Sequence, residues 1–457
     1  MAQGFMSVLL TALRKPDSPI KMDVHLASWL ASGMAMSIVI GTLSSTILME
    51  IFGRKIAYIL EIVPGVTAML LVYYASNFPT LMAARILDGI TAGGSAILGA
   101  VIIGEYASPA YRGVFLNLKT ACICLGSTIV HSIGHYLHWK TVALVALIPY
   151  AVSLIIIITW KESPAWLASR KRFEEAERSF LWLRGDSAET RAELDNLIKA
   201  QQERAAFQFK SSFSDKIMTF FHKMKRKDFL KPVFIMVCSS MLLEMCGRHL
   251  VPAYAVDIVG GIVGGRGETF YYTLTIDLIV TISSTCSSIL IKLMKTRTLL
   301  FTSGVSSLIV LACACLYIFS VSQDVISKDR PWIPLSMFIL YFILVNLGCT
   351  PIPFALIGEI IPLEHKSYGI FVFSVVGCIL IVVTIKIFPY LLLHLDIYGT
   401  FTLLGLVTAV MLICLYITLP ETKNRTLQDI EDGFKFEKTQ NRGRRDEESA
   451  KMLHSNI

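Results

Sequence analysis

Runs of twenty or more apolar residues limit this chain more than any other feature. KTVALVALIPYAVSLIIIITW (140–160) and TLLFTSGVSSLIVLACACLYIFS (298–320) are two of them. A helix of that length crosses a hydrocarbon layer of about 30 Å. In lipid every backbone N–H and C=O must find a partner within the protein, which leaves only helices and closed barrels as spanning structures. Of the 457 residues 54% are hydrophobic and only 17% charged, and the mean hydropathy is +0.61. A soluble domain has too little core to hide so much apolar surface. The expected fold is an all-α, multi-pass membrane protein.

Eleven full spans are expected, near 26–51, 56–76, 80–107, 113–137, 140–160, 230–256, 268–291, 298–320, 333–358, 368–393 and 397–419. A partial span, MAQGFMSVLLTALRK, precedes them. Its roughly 13 helical residues reach only about 20 Å, so the expectation is that the first half of this helix precedes Met1. The spans group into an N-terminal bundle (1–160) and a C-terminal bundle (230–419), separated by a charged linker (161–229) and followed by a polar tail (420–457). Within the linker, SRKRFEEAERSFLWLRG and SAETRAELDNLIKAQQER show helical apolar spacing and read as short amphipathic helices.

The formal net charge of +8 gathers in the linker, the 292–297 connection and the tail. Lys and Arg between spans mark cytoplasmic loops rather than a nucleic-acid surface. That orientation puts both termini in the cytoplasm, and the sequon Asn424-Arg425-Thr426 with them. All ten cysteines fall within apolar blocks without CxxC spacing, as small buried hydrophobes do. His131 and His135 have the i,i+4 spacing of a metal pair but no third ligand. No cofactor, metal site or nucleophile–base pair is legible, which argues against an enzyme.

The halves repeat at an offset of about 250 residues. Gly53-Arg54-Lys55 answers to Lys295-Thr296-Arg297, GEYASPAYRG (104–113) to GEIIPLEHKSYG (358–369), and KESP (161–164) to LPET (419–422). Two parallel six-helix repeats follow. Charged residues recur at the same helix ends in both halves: Arg54, Glu105, Arg112 and Glu162, then Arg297, Glu359, Lys366 and Glu421. Ion pairs there can clamp one state of a two-state rocking motion.

These motifs, with RILDGITAGG, KESPAWL, RFEEAERSFLWLRG, GCTPIPFALIGEIIPLEHKSYG and LPETKNRTLQDIE, resemble the sugar porters of the major facilitator superfamily over nearly the whole chain. The likeness is greatest to the insect facilitated trehalose and hexose transporters. It implies a major facilitator fold and a sugar site between the halves, lined by amides and an aromatic ring. Amides both donate and accept, as sugar hydroxyls require, and a ring face stacks on a pyranose. Carried onto this chain, the fifth-span glutamine falls at Thr120, the paired glutamines at Leu243 and Glu244, and the seventh-span asparagine at His249. The eighth-span asparagine falls near Val280, the tenth-span tryptophan at Phe354, and the Asn-Trp pair at Gly377-Cys378. Lys292, Lys295-Thr296 and Lys366 depart from the family's second-half clamp, which implies looser closure there.

Glu244, Arg248 and His249 stand inside an apolar span. Lone charges at the bilayer centre cost about 2.5–3.5 kcal/mol on insertion scales. Glu244 and Arg248, spaced i,i+4 with the acid first, are expected to pair. Substrate contact and proton coupling by Glu244 or His249 are the other readings. Arg85 and Asp88 are expected to pair as i,i+3 neighbours, and Gly89, Gly93 and Gly94 to serve close helix packing. Glu61, Lys119, Asp277 and Lys386 have no partner nearby in sequence.

The functional expectation is a monomeric, uniporter-like carrier of trehalose or a hexose in the cell membrane, working by alternating access. Its partners are a small-molecule solute and the lipid bilayer. A carrier of a weakly acidic or anionic solute, with or without proton coupling, and a non-transporting sensor or degenerate paralogue are the alternatives.

Overall fold

The computed structural model describes residues 2–15, 18, 20–107, 112–188, 190–195, 197–199, 227–263, 269–327, 330, 332–360 and 366–421. The side chains of Arg112, Lys292, Glu359 and Lys366 fall outside that description. No strand occurs among the described residues.

Helices α1 (Ala2–Leu13), α2 (Val24–Phe52), α3 (Arg54–Tyr74), α4 (Phe78–Tyr106) and α5 (Arg112–Tyr136) lead to the pair α6 (Trp139–Val145) and α7 (Leu147–Thr159). Short helices α8 (Pro164–Ser169) and α9 (Phe173–Arg184) open the linker. The second half contains α10 (Lys227–Met245), α11 (Leu250–Val263), α12 (Thr269–Leu293), α13 (Thr296–Ser322), α14 (Trp332–Leu347), α15 (Pro351–Glu359) and α16 (Lys366–Thr418). The last holds two crossings joined at Asp396, whose φ of 55° breaks the helix between the two expected spans.

Local chemistry sets the starts of these helices. The Asp23 carboxylate accepts from Leu26 N–H at 2.7 Å, and Asn77 accepts from Thr80 N–H at 3.0 Å. Ser163 caps α8, whose first residue is Pro164.

Small residues let α2 and α4 meet almost backbone to backbone. A Cβ on Gly41 would lie 1.9 Å from the Ile90 carbonyl oxygen. One on Gly89 would lie 2.0 Å from that of Met34, and one on Gly93 2.1 Å from that of Ile38. The expected packing role of Gly89 and Gly93 is therefore met. Hydrophobic burial does not drive helices together in lipid, and close van der Waals contact takes its place. Large apolar side chains such as Ile47, Val63, Ile155 and Ile413 remain exposed on the outside of the bundle, where acyl chains would cover them.

Two expected continuous spans are interrupted. Gly247, at φ +87°, and Pro252, which has no N–H for the Arg248 carbonyl, separate α10 from α11. Pro351 does the same between α14 and α15. Both interruptions lie in the second half and open onto the centre of the molecule.

Candidate functional site: a central cavity between two bundles

A cavity of about 60 Å³ lies where residues of both bundles meet. The first half contributes Gln3 from α1 and Cys124 and Ser127 from α5. The second contributes Gly247 and Arg248 from the α10–α11 break, Asp277 and Ser284 from α12, and Asn346 and Thr350 around the α14–α15 break. Interrupted helices free backbone groups, and membrane carriers tolerate them where they line a cavity.

The expected site residues do not all meet there. Arg248 lines the cavity, whereas Thr120, Phe354 and Gly377 do not. Thr120 sits one helical turn toward the Arg54 end and bonds the Leu116 carbonyl at 3.3 Å. A Cβ on Gly377 would meet nothing within 4 Å. Phe354 is 44% exposed and takes the Arg248 guanidinium over its ring at 4.8 Å.

That contact corrects the expected Glu244–Arg248 pair. The turn at Cys246–His249 ends the helix that an i,i+4 pair requires. The buried Glu244 carboxylate instead bonds His249 Nδ1 at 2.8 Å. Gln3 and Asn346 supply amides that motif matching misses. Each becomes a wall residue only through its place in three dimensions.

At one end of the first bundle Arg54, Glu105 and Glu162, three of the four expected charged residues, come together. Arg54 bonds Glu105 twice, at 2.8 and 2.6 Å. Glu162 accepts from the backbone N–H of Arg54 at 2.8 Å and from Ser163 N–H at 2.8 Å. Ser163 Oγ donates to Glu105 at 2.5 Å, tying the linker into the clamp. The second half differs. Arg297 bonds the Tyr416 carbonyl at 2.9 Å and packs over the rings of Phe301 and Tyr416. Glu421, half-buried, follows the last helix. The expected roles of Arg112, Glu359 and Lys366 lie on side chains outside the described set.

Among the described residues, the polar contacts joining the two bundles lie at the opposite end. Arg14 pairs with Asp257, and Ser28 Oγ donates to the Lys386 carbonyl at 2.8 Å. The Lys386 ammonium stands 3.1 Å from the centre of the Trp29 ring. His131 Nδ1 meets Asp277 at 2.5 Å, and its Nε2 meets the Gly4 carbonyl at 2.9 Å. Asp277 and Lys386, partnerless along the sequence, thus find partners across the bundle seam. Lys119 bonds the Ala96 carbonyl at 2.7 Å, and Glu61 is buried against Gly94. His135 turns from His131 and stacks on Phe270 at 3.7 Å. No metal-binding group of three occurs among the described residues.

Two six-helix bundles around a cavity at broken helices define a major facilitator carrier. The fold agrees with solved structures of that class. The inward-open xylose transporter XylE from E. coli superposes with a TM-score of 0.74 at 16% identity, over 94% of this chain and 95% of that one. XylE bound to 6-bromo-6-deoxy-D-glucose superposes with a TM-score of 0.71 at 18% identity, over 94% of each chain. The family described as "Sugar (and other) transporter" matches residues 5–434, and the chain belongs to it. Among curated relatives, the facilitated trehalose transporter Tret1 of Apis mellifera ligustica is 28% identical over 95% of this chain and 84% of its own length. The Tret1 of Drosophila pseudoobscura pseudoobscura is 27% identical over 94% of this chain, which spans about half (49%) of that protein.

Proposed function

We propose that the chain is a facilitative carrier of a small neutral sugar, trehalose or a hexose, working by alternating access in the cell membrane as a monomer with both termini cytoplasmic. The central cavity's wall of neutral amide and hydroxyl side chains carries this reading. Gln3, Ser127, Ser284, Asn346 and Thr350 both donate and accept hydrogen bonds, as sugar hydroxyls demand. The similarity to trehalose transporters supports the sugar class and leaves the particular sugar open to test.

Arg248 in the same wall favours a second reading, a weakly acidic or anionic solute. A guanidinium recognises carboxylates through paired hydrogen bonds. Uptake of labelled trehalose, glucose and a panel of organic acids into liposomes holding the full chain separates the two. Saturable sugar flux that stops at equal concentrations supports the proposal. Flux of acids alone transfers the assignment to the second reading, and flux of neither favours a sensor. Accumulation of sugar above equilibrium under an inward proton gradient would replace the uniporter reading with a symporter.

A further inference from the structure

A second, larger cavity of about 570 Å³ lies toward the end where the bundles are joined. The two cavities are lined by successive turns of the same helices. On α1 the central cavity takes Gln3 and the larger one Ser7. On α5 they take Ser127 and His131, on α11 Pro252 and Val256, and on α12 Asp277 and Thr273. A partition about one turn thick therefore separates them. His131 faces the larger cavity, Asp277 faces the central one, and the bond between them crosses the partition from one bundle to the other.

The hydrogen bonds fix how many protons this pair holds. A carbonyl oxygen only accepts, so His131 Nε2, at 2.9 Å from the Gly4 carbonyl, carries a proton. Nδ1 and the Asp277 oxygen, 2.5 Å apart, would be two facing lone pairs unless a second proton lay between them. Whether that proton rests on nitrogen or oxygen, the closed pair is neutral and holds one proton more than a neutral imidazole beside a carboxylate. Both side chains are buried, with exposures of 5% and 7%. Without the proton, the partition would enclose an unpaired carboxylate against a nitrogen lone pair, at the cost of a buried uncompensated charge.

We propose that His131 and Asp277 form a proton-loaded gate between the larger cavity and the central one, closed while the pair shares a proton and parted when it is lost. This rests on the carrier fold and not on which solute is carried. Acidic conditions supply the proton that closure needs. Under alkaline conditions closure must draw one from water, so those conditions favour the open gate. Other titratable groups face the pair. Arg248 and Cys124 line the central cavity with Asp277. On the other side Lys15, His135, Tyr136 and His138 line the larger cavity, and Lys140 stacks on its wall at Trp139. Arg14 and Asp257 neutralise each other above α11.

Hydrogen exchange of the full chain in lipid nanodiscs, with no solute present, tests the gate whatever the solute proves to be. Exchange in peptides covering 124–136 and 273–284, corrected for intrinsic chemical rates, should be about tenfold faster at about pH 8 than at about pH 5.5, within the usual range of conformational coupling. Asp277→Asn keeps both bonds without a shared proton, because the amide N–H donates to Nδ1. Its exchange should stay slow at both pH values. Should that variant fail to fold, His131→Gln removes the imidazole and carries the same expectation of no pH response. Equal protection of the unmodified chain at both pH values overturns the proposal, and so does a tenfold response that survives in a folded variant.

Discussion

At the scale of single residues, Gly53 shows how a backbone position and a charge cluster depend on each other. Its φ of +89° and ψ of 177° occupy a region essentially confined to glycine, and a Cβ there would stand 2.5 Å from the Glu162 carboxylate. The same geometry presents the N–H groups of Arg54 and Lys55 to that carboxylate. Gly53→Ala should cost about 1–3 kcal/mol, measured as a lower unfolding temperature in detergent. A different balance holds at Arg85 and Asp88, 2.9 Å apart and both 2% exposed. Removing one charge of a buried pair costs about 3–5 kcal/mol. Asp88→Asn should therefore destabilise more than the double change Arg85→Met with Asp88→Leu, which leaves no charge behind. Thermal unfolding of the three variants would show the order, and a double variant as unstable as the single would refute it. Both the Arg85–Asp88 pair and the Arg54–Glu105 clamp were legible along the chain, the first from i,i+3 spacing and the second from a repeat of motifs. Lys386 on Trp29 was not, because 357 residues of chain separate them.

At the scale of elements, helix contacts here depend on what is missing from side chains. Gly41, Gly89 and Gly93 let α2 and α4 approach until carbonyl oxygens sit where a Cβ would be. Gly41→Leu forces those backbones apart, and neither flexible side chains nor solvent can absorb the clash. The variant should give little monodisperse protein on size-exclusion chromatography, whereas Gly104→Ala, where a Cβ meets nothing within 4 Å, should match the unmodified chain. In the linker, Arg172 bonds Glu175 at the start of α9 at 2.7 and 2.6 Å, and that bond holds the Glu175 carboxyl below its ordinary value. A depressed value means the contribution is present above the ordinary 4.5 and lost as pH falls through the lower folded value. Hydrogen exchange in 173–184 should accordingly rise on acidification, an effect kept small by the pair's exposure. Helix breaks were the least legible elements. Pro252 and Pro351 mark where a helix is weak, but α3 contains Pro64 and stays continuous. Whether a proline kinks or ends a helix depends on which neighbours take up the freed carbonyl.

For the whole molecule, the polar ties between the bundles among the described residues are concentrated at one end. Arg14–Asp257 and Lys386 on Trp29 are single contacts worth about 0.5–1 kcal/mol each in accessible settings. Replacing Arg14 and Lys386 together by Gln should free about 1–2 kcal/mol of closure, raising the open population by about 5- to 30-fold. Labelling of Cys124, which lines the central cavity, by a membrane-impermeant maleimide at fixed pH reads that change. Labelling at the rate of the unmodified chain would show that these ties do not hold the seam.

The sequence alone determined the solvent, the number of crossings and the family, because apolar length and motif order are local and survive without coordinates. It also singled out Arg54, Glu105 and Glu162, which lie in repeated motifs and meet in the structure. The composition of the central cavity was decided only by the tertiary structure. Gln3, Asn346 and Asp277 are ordinary residues until two helix breaks and a bundle seam bring them to one surface. The stretch from Glu244 to His249 shows the same division. Its charges had to be neutralised wherever they fell, since lipid leaves no alternative. Which partner each took was settled by the turn at Gly247, which gave Glu244 to His249 and left Arg248 to the ring of Phe354.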